Sequence, residues 1–157
     1  MRLYRIGPAR YLENYRGLGA SYQDGARWNN PGLPILYFGA SASVAMLEMA
    51  NYLPSPRLVP DDYRLGVYEI DDDVAVQSWS VADLPEQWNT YPHQAETQQL
   101  GSQWLTDMRS ALLLVPSAAV PGGLENNILV NPLHPDAKGI TLVASQDKLF
   151  SDRLFSV

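Results

Sequence analysis

The sequence of 157 residues contains no cysteine and only two histidines. The absence of cysteine excludes disulfide bonds, thiolate metal sites and cysteine nucleophiles. Basic residues are few, with 11 Lys and Arg against 17 Asp and Glu, and the net charge is -6. A chain of this charge is a poor sequence-independent ligand for nucleic acid or an anionic membrane, because both attract positive potential. The longest apolar runs, such as Leu112 to Val115, fall far short of the roughly 20 residues that a membrane-spanning helix requires.

The length favours one compact domain, and we expect residues 1–157 to form it. Hydrophobic residues make up 46% of the chain and charged residues 18%, which is typical of a globular rather than a disordered protein. The first residues, Met1 to Ile6, contain no hydrophobic signal-peptide region. We therefore expect a soluble, cytoplasmic protein.

Twelve prolines and eleven glycines divide the chain into short segments. Two segments are predicted to be helices, Ala42 to Leu53 with Ser41 or Ser43 as its N-cap, and Gln94 to Met108. Apolar and β-branched runs predict six strands: Met1–Ile6, Ile35–Phe38, Tyr63–Ile70, Ala111–Val115, Asn127–Val130 and Ile140–Ala144. Single helices inserted among more numerous strands predict an α+β domain with a twisted, mixed or mainly antiparallel sheet and few helices.

Other segments carry weaker structural signals. Tyr11 to Asn30 is rich in Gly, Tyr and Asn, which predicts irregular structure. Asp83 to Pro92 reads as a surface connection between the predicted elements. In the second predicted helix, one apolar stripe is expected to face the core, formed by Leu100, Trp104, Leu105 and Met108.

The motifs that settle a function outright are missing. The sequence has no P-loop, no Rossmann glycine fingerprint, no H-E-x-x-H and no G-x-S-x-G. A triad of Ser117, His134 and Asp136 is disfavoured, because a proline-flanked turn accounts for the last two residues. The acidic run Asp71 to Asp73 lacks the alternating pattern of a calcium loop and is interpreted as a strand exit. We therefore predict no metal site.

Two charged residues stand in constrained surroundings. Arg27 lies in the turn-rich segment Gly25 to Pro31, where its planar guanidinium could bind an anion with two hydrogen bonds. The alternative is a surface arginine stacked on Trp28. Apolar residues flank Glu48 in the first predicted helix, so it belongs either to a narrow exposed stripe or to a partly buried functional site. The sequence alone leaves both pairs of alternatives open.

Two hydroxyl groups are further candidates. Ser117 follows the apolar segment Leu112 to Pro116, which would deliver its hydroxyl at the end of a strand. The same hydroxyl is equally suited to capping the next turn. Tyr37 lies in a predicted strand, where core packing is the default interpretation of its ring.

Arg27, Glu48 and Ser117 stand where the three residues that name the RES domain stand, and the chain resembles that family. One departure is Ala26, where the family often has glycine, and another is the insertion-like segment Pro121 to Leu124. The resemblance covers nearly the whole chain through motifs in the family's order and spacing: Leu3–Ile6, Gly17–Ala20, Gly25–Asn29, Ile35–Tyr37, Ala45–Glu48, Val115–Ala118 and Asn127–Pro135.

The resemblance implies a fold similar to that of ADP-ribosyltransferase toxins and an enzyme that breaks the bond between nicotinamide and ribose in NAD. It implies that Glu48 stabilises charge on the ribose, that Arg27 binds the pyrophosphate and that Ser117 bonds to the nicotinamide side. Tyr37 would stack on the nicotinamide or hold the ribose, and Asn127 would fix a loop or a sugar hydroxyl. NAD is then a substrate, with no further cofactor.

RES domains are the toxin half of Xre–RES toxin–antitoxin systems, so the resemblance also implies an Xre-type antitoxin with a helix-turn-helix region. DNA would be contacted only through this partner, and a toxin homodimer within the complex is expected. The sequence leaves open whether the acceptor is water, phosphate or a protein side chain. A protein ADP-ribosyltransferase with the same site and an inactive partner-binding module remain as alternatives. The hypothesis requires Arg27, Glu48 and Ser117 to converge around one substrate, and it fails if they lie on separate surfaces with no common hollow.

Overall fold

The computed structural model describes residues 1–52 and 58–151. In these ranges the helices are α1 (Ala20–Asp24), α2 (Ala42–Ala50) and α3 (Ala95–Asp107). No helix in these ranges has the length and apolar character needed to cross a membrane. The strands are β1 (Arg2–Pro8), β2 (Leu36–Gly39), β3 (Tyr63–Glu69), β4 (Val76–Ser78), β5 (Leu112–Pro116), β6 (Asn126–Val130) and β7 (Thr141–Gln146).

The strands form one sheet in the order β4-β5-β6-β2-β1-β3-β7. Strands β4 and β5 are parallel, and the other neighbouring strands are antiparallel. The predicted α+β class with a mixed, mainly antiparallel sheet and few helices is confirmed. The short edge strand β4 was missed by the sequence prediction, because three residues are too few to show a hydrophobic period.

Buried side chains cover both faces of the central strands, since successive residues of a strand point to opposite faces. Leu36 and Phe38 of β2 pack on one face with Tyr68 of β3. Tyr37 points to the opposite face, where it packs with Leu129 and with the aromatic side chains Trp28, Trp88 and Trp104. This second face carries the candidate site.

Helix α2 begins directly against the sheet. A Cβ at Gly39 would lie 2.7 Å from the backbone nitrogen of Ala45, so this glycine allows the close approach. Ser41 is the N-cap of the helix, because its side chain accepts a 3.2 Å hydrogen bond from the Val44 amide. It is one of the two N-caps that the sequence predicted. The predicted helix end at Leu53 lies outside the described residues.

The apolar stripe predicted for the second helix is partly wrong. Trp104 and Leu105 of α3 are buried, but Leu100 and Met108 are more than a third exposed. The buried face of α3 instead includes Thr97 and Gly101. A Cβ at Gly101 would overlap the carbonyl oxygen of Trp28, so a small residue lets the helix touch the backbone of another segment.

Two predictions of irregular structure need correction. The segment from Tyr11 to Asn30 contains the short helix α1, whose polar sequence shows no apolar period. The predicted surface connection from Asp83 to Pro92 contributes to the core, because Trp88 within it is 6% exposed. The proline-rich neighbours of Trp88 predict a surface position, but burial of its large aromatic ring is favourable enough to place this residue in the core.

Two turn interpretations are confirmed. The side chain of His134 accepts a 3.3 Å hydrogen bond from the Asp136 amide and caps the 3₁₀ turn Pro135–Gly139. The acidic run at Asp71 follows the end of β3 at a turn. Neither segment is needed to explain the site described next.

Candidate active site

The carboxylate of Glu48 receives two side-chain hydrogen bonds on the same oxygen. Ser117 Oγ donates to Glu48 Oε1 over 2.6 Å, and Asn127 Nδ2 donates to the same atom over 2.5 Å. Glu48 is partly buried, so it does not belong to an exposed stripe of this helix. Two donors, one in β6 and one just after the end of β5, therefore fix the orientation of one carboxylate.

Strand register explains why these three residues meet. Asn127 of β6 lies opposite Gly39 of β2 on one side and opposite Val115 of β5 on the other. Helix α2, which carries Glu48, starts three residues after Gly39. Ser117 follows the end of β5, where its amide donates a 2.8 Å hydrogen bond to the Glu125 carbonyl. The helix that follows β2 thus supplies the carboxylate, and β6 and the residue after β5 supply its two donors.

The hydroxyl of Ser117 both donates and accepts a hydrogen bond. Its side chain is buried, and its Oγ accepts a 3.2 Å hydrogen bond from the Ala119 amide while donating to Glu48. The turn cap that the sequence proposed is therefore present, and the same oxygen also contacts Glu48.

Arg27 projects from a tight turn, and we call the segment Gly25 to Pro31 the Arg27 loop. Gly25 has φ 76°, a left-handed conformation that favours glycine. Ala26 and Asn29 then exchange backbone hydrogen bonds of 2.9 and 3.3 Å. This closed turn presents the side chain of Arg27 at its tip.

The guanidinium of Arg27 is held by backbone oxygens. Its Nη1 donates to the carbonyls of Trp88 at 2.5 Å and Thr90 at 3.0 Å, which come from the connection before α3. Partial burial lowers the pKa of Arg27, and the charge of Glu48 acts in the opposite direction. Arg27 remains a cation, because its ordinary pKa lies far above neutrality. A surface arginine stacked on Trp28 does not describe this geometry.

Tyr37 contacts the Arg27 loop through its hydroxyl. The phenol donates a 2.7 Å hydrogen bond to Oδ1 of Asn29 and accepts a 3.3 Å hydrogen bond from the Trp28 amide. Burial raises the pKa of Tyr37 well above its ordinary value, so the phenol is neutral. The ring also packs in the core of this face, as its default interpretation predicted.

The predicted site residues therefore converge on one face of the sheet. Glu48, Ser117 and Asn127 are in direct contact, Tyr37 is hydrogen-bonded to the two residues that follow Arg27, and Glu48 lies close enough to Arg27 for its charge to raise the pKa of the guanidinium. A fixed anion beside a fixed cation suits a substrate that carries phosphate and develops positive charge elsewhere.

Sequence reasoning missed several residues around this site. Asn29 is fully buried and supports the Arg27 loop, yet in the sequence it reads as an ordinary turn residue. Tyr52 and His93 lie close enough to Arg27 for their pKa values to respond to its charge. Their only sequence signal is a polar aromatic group within two residues of a proline, which is common in loops.

A sequence model of the RES domain matches residues 2–152. The chain belongs to the RES domain family. Arg27, Glu48 and Ser117, the family's three namesake positions in the predicted alignment, all lie in the site described above.

Curated relatives of this RES domain are named as toxins. The chain is 37% identical to the "Prs ADP-ribosylating toxin" of Sphingobium sp. (strain YBL2), over 90% of this chain and 87% of the relative. It is 38% identical to "Toxin Res" of Yersinia enterocolitica over 85% of this chain and 86% of the relative. It is 35% identical to "Toxin Res" of Pseudomonas putida over 99% of this chain and 100% of the relative.

A solved structure shares the fold of this RES domain. A chain in the crystal structure of the M. tuberculosis MbcT–MbcA toxin–antitoxin complex superposes with a TM-score of 0.71 at 22% sequence identity. The match covers 93% of this chain and 82% of that chain.

Proposed function

We propose that this RES domain is the toxin of a toxin–antitoxin pair and that it breaks the bond between nicotinamide and ribose in NAD. Membership of the family and the names of the curated relatives support the toxin assignment. The contact set around Glu48 supports the reaction, and it is the observation on which the proposal depends.

Cleavage of this bond leaves positive charge on the ribose, as in the oxocarbenium-like state of glycoside hydrolysis. A carboxylate held at a fixed position stabilises that charge without reorganising during the reaction. Ser117 and Asn127 both donate to Oε1 of Glu48, and no hydrogen bond within residues 1–52 and 58–151 ends on Oε2. Oε2 is therefore the oxygen that would accept a ribose hydroxyl.

Arg27 supplies the positive site for the diphosphate. The Trp88 and Thr90 carbonyls engage its Nη1, which leaves its other N–H groups to bind phosphate oxygens. Nicotinamide is a cationic leaving group and departs as a neutral molecule, so the chemistry needs neither a Lewis acid nor a second cofactor. NAD would be consumed as the substrate.

The acceptor defines the exact reaction. Water would give ADP-ribose, phosphate would give a phosphorylated ADP-ribose, and a protein side chain would give an ADP-ribosylated protein. The name of the Sphingobium relative favours protein ADP-ribosylation as the second candidate function. Mass spectrometry of the products distinguishes the three outcomes.

The test is nicotinamide release from NAD by the purified chain and by Glu48→Gln. This substitution keeps the shape of the side chain and removes its charge, so we expect a fall in turnover of about 10²–10³-fold. Glu96→Gln is the matched control, because Glu96 is an exposed carboxylate on helix α3. Equal turnover in wild type and Glu48→Gln would contradict the proposal. A wild type that is inactive in an assay where another RES toxin is active would also contradict it. That second result would favour a partner-binding module.

A partner follows from the toxin proposal. The structural neighbour was crystallised as a toxin–antitoxin complex, which supports an antitoxin for this chain. We propose that the antitoxin is of the Xre type, that it covers the NAD site and that it alone contacts DNA, with toxin homodimers in the complex. Expression of the chain without the antitoxin should then lower cellular NAD and stop growth. Unchanged NAD at good expression would count against this function.

A further inference from the structure

Two side-chain hydroxyls accept hydrogen bonds from the backbone of the Arg27 loop. From the sheet, Tyr37 Oη accepts from the Trp28 amide over 3.3 Å. From helix α3, Ser102 Oγ accepts from the Asn30 amide over 2.9 Å. These amides lie within the loop, one and three residues after Arg27, so the loop is hydrogen-bonded to two secondary-structure elements.

Further contacts tighten the same arrangement. The phenol of Tyr37 also donates to the buried Asn29 side chain, whose Nδ2 donates to the Ser21 carbonyl over 2.7 Å. Gln98 of α3 donates to the Asn29 carbonyl over 3.3 Å. Because buried polar groups are costly to leave unpaired, each of these bonds resists displacement of the loop.

We propose that Tyr37 and Ser102 are positioning residues that set the location of Arg27 for the diphosphate. The inference rests on the proposed function, since it assigns these hydroxyls to the same site. It changes the role expected for Tyr37, because stacking on nicotinamide needs only the ring, whereas positioning needs the hydroxyl. Ser102 was not among the predicted site residues, and its hydroxyl acts at a distance from the reacting bond.

The hydroxyl and the ring can be separated by Tyr37→Phe. Positioning predicts a fall in kcat/KM for NAD of about 10–100-fold, mainly through a higher KM, because Arg27 binds a part of the substrate remote from the cleaved bond. Tyr68→Phe is the matched control. Tyr68 is fully buried on the opposite face of the sheet, where its hydroxyl donates to the Leu12 carbonyl over 2.9 Å. We expect Tyr68→Phe to lower stability and to leave KM unchanged.

Hydrogen exchange of the Trp28 amide gives a second readout that does not depend on activity. Tyr37→Phe removes the acceptor of this amide, so its exchange should be faster than in Tyr68→Phe at equal global stability. Ser102→Ala removes the other hydroxyl, and alanine is well tolerated in a helix. We expect this variant also to raise the KM for NAD and to speed hydrogen exchange at the Asn30 amide. This variant tests the proposal even if Tyr37→Phe does not fold.

The outcomes separate the two proposals. A wild type without NAD cleavage contradicts the proposed function, while faster Trp28 and Asn30 exchange still supports the fixed loop. An active wild type with unchanged KM in both Tyr37→Phe and Ser102→Ala overturns the positioning inference and leaves the proposed function standing. Activity kept by Tyr37→Phe but lost by Tyr37→Leu would assign Tyr37 to stacking instead.

Discussion

Ser117 Oγ donates a 2.6 Å hydrogen bond to Oε1 of Glu48, although the two residues are 69 positions apart in the chain. The serine comes from the end of a strand and the glutamate from a helix on the same face of the sheet. Because the hydroxyl also accepts from the Ala119 amide, it cannot rotate away without losing both contacts. The carboxylate is therefore oriented by the strand end rather than by its own helix.

Ser117→Ala is expected to lower NAD turnover by about 10–100-fold, since a hydrogen bond to a charged group contributes about 1.5–3 kcal/mol. The free energy of unfolding should fall by about 1–3 kcal/mol, because Ala119 loses an acceptor. Nicotinamide release and urea unfolding measure the two effects. Ser145→Ala, at an exposed position of β7, is the control and should change neither. Reduced stability with undiminished turnover would show that Ser117 is only structural.

Gly101→Ala should destabilise the fold by about 1–3 kcal/mol or more, because its Cβ overlaps the Trp28 carbonyl. This loss outweighs the gain of about 1 kcal/mol that alanine normally brings to a helix interior. Thermal unfolding measures the change, and NAD cleavage should fall with it as the Arg27 loop is displaced. Gly7→Ala is the control, since its Cβ meets no atom within 4 Å. A Gly101→Ala variant as stable as Gly7→Ala would contradict the close packing of α3 on the loop.

The pH dependence of stability should report on His93. Burial lowers the pKa of His93, and the charge of Arg27 lowers it further. The unfolded chain therefore binds a proton at a higher pH than the folded chain, so stability is lost as pH falls below about 6.5. His93→Gln should therefore make the free energy of unfolding depend less steeply on pH between about pH 7 and 5. The change in slope should be smaller than the ~1.4 kcal/mol per pH unit expected when unfolding takes up one whole proton.

Urea unfolding at a series of pH values tests this expectation. Carboxylates whose pKa is lowered, such as Asp72 and Asp83, act at more acidic pH and do not obscure the effect. An identical slope in His93→Gln and wild type would show that His93 titrates as in the unfolded chain.

The sequence predicted the strands better than it predicted the contacts between the candidate site residues. An apolar run bounded by Pro and Gly located β2, an apolar run located β5, and the family resemblance proposed Arg27 and Glu48 as site residues. The contact of Glu48 with Asn127 depends on the register of β6 against β2, which is fixed by long-range packing. Local sequence carries no signal for that register.

The loop contacts were also beyond sequence reasoning. Residue types such as Asn and Thr are common in turns whether the turn faces solvent or a site. The sequence therefore did not distinguish Asn29 and Thr90 from ordinary turn residues. For α3, helical periodicity is compatible with two overlapping buried stripes. The sequence prediction chose the stripe with the larger apolar residues. The fold selected the stripe with Gly101, because close approach to Trp28 requires the absence of a side chain.

The carboxylate of Glu48 depends on two donors that are synthesised much later than Glu48 itself. A nascent chain that ends before β5 contains Arg27 and Glu48 but neither Ser117 nor Asn127. Translation therefore produces Glu48 long before the two residues that donate hydrogen bonds to its carboxylate. The contacts around Glu48 are completed only after Asn127 has left the ribosome.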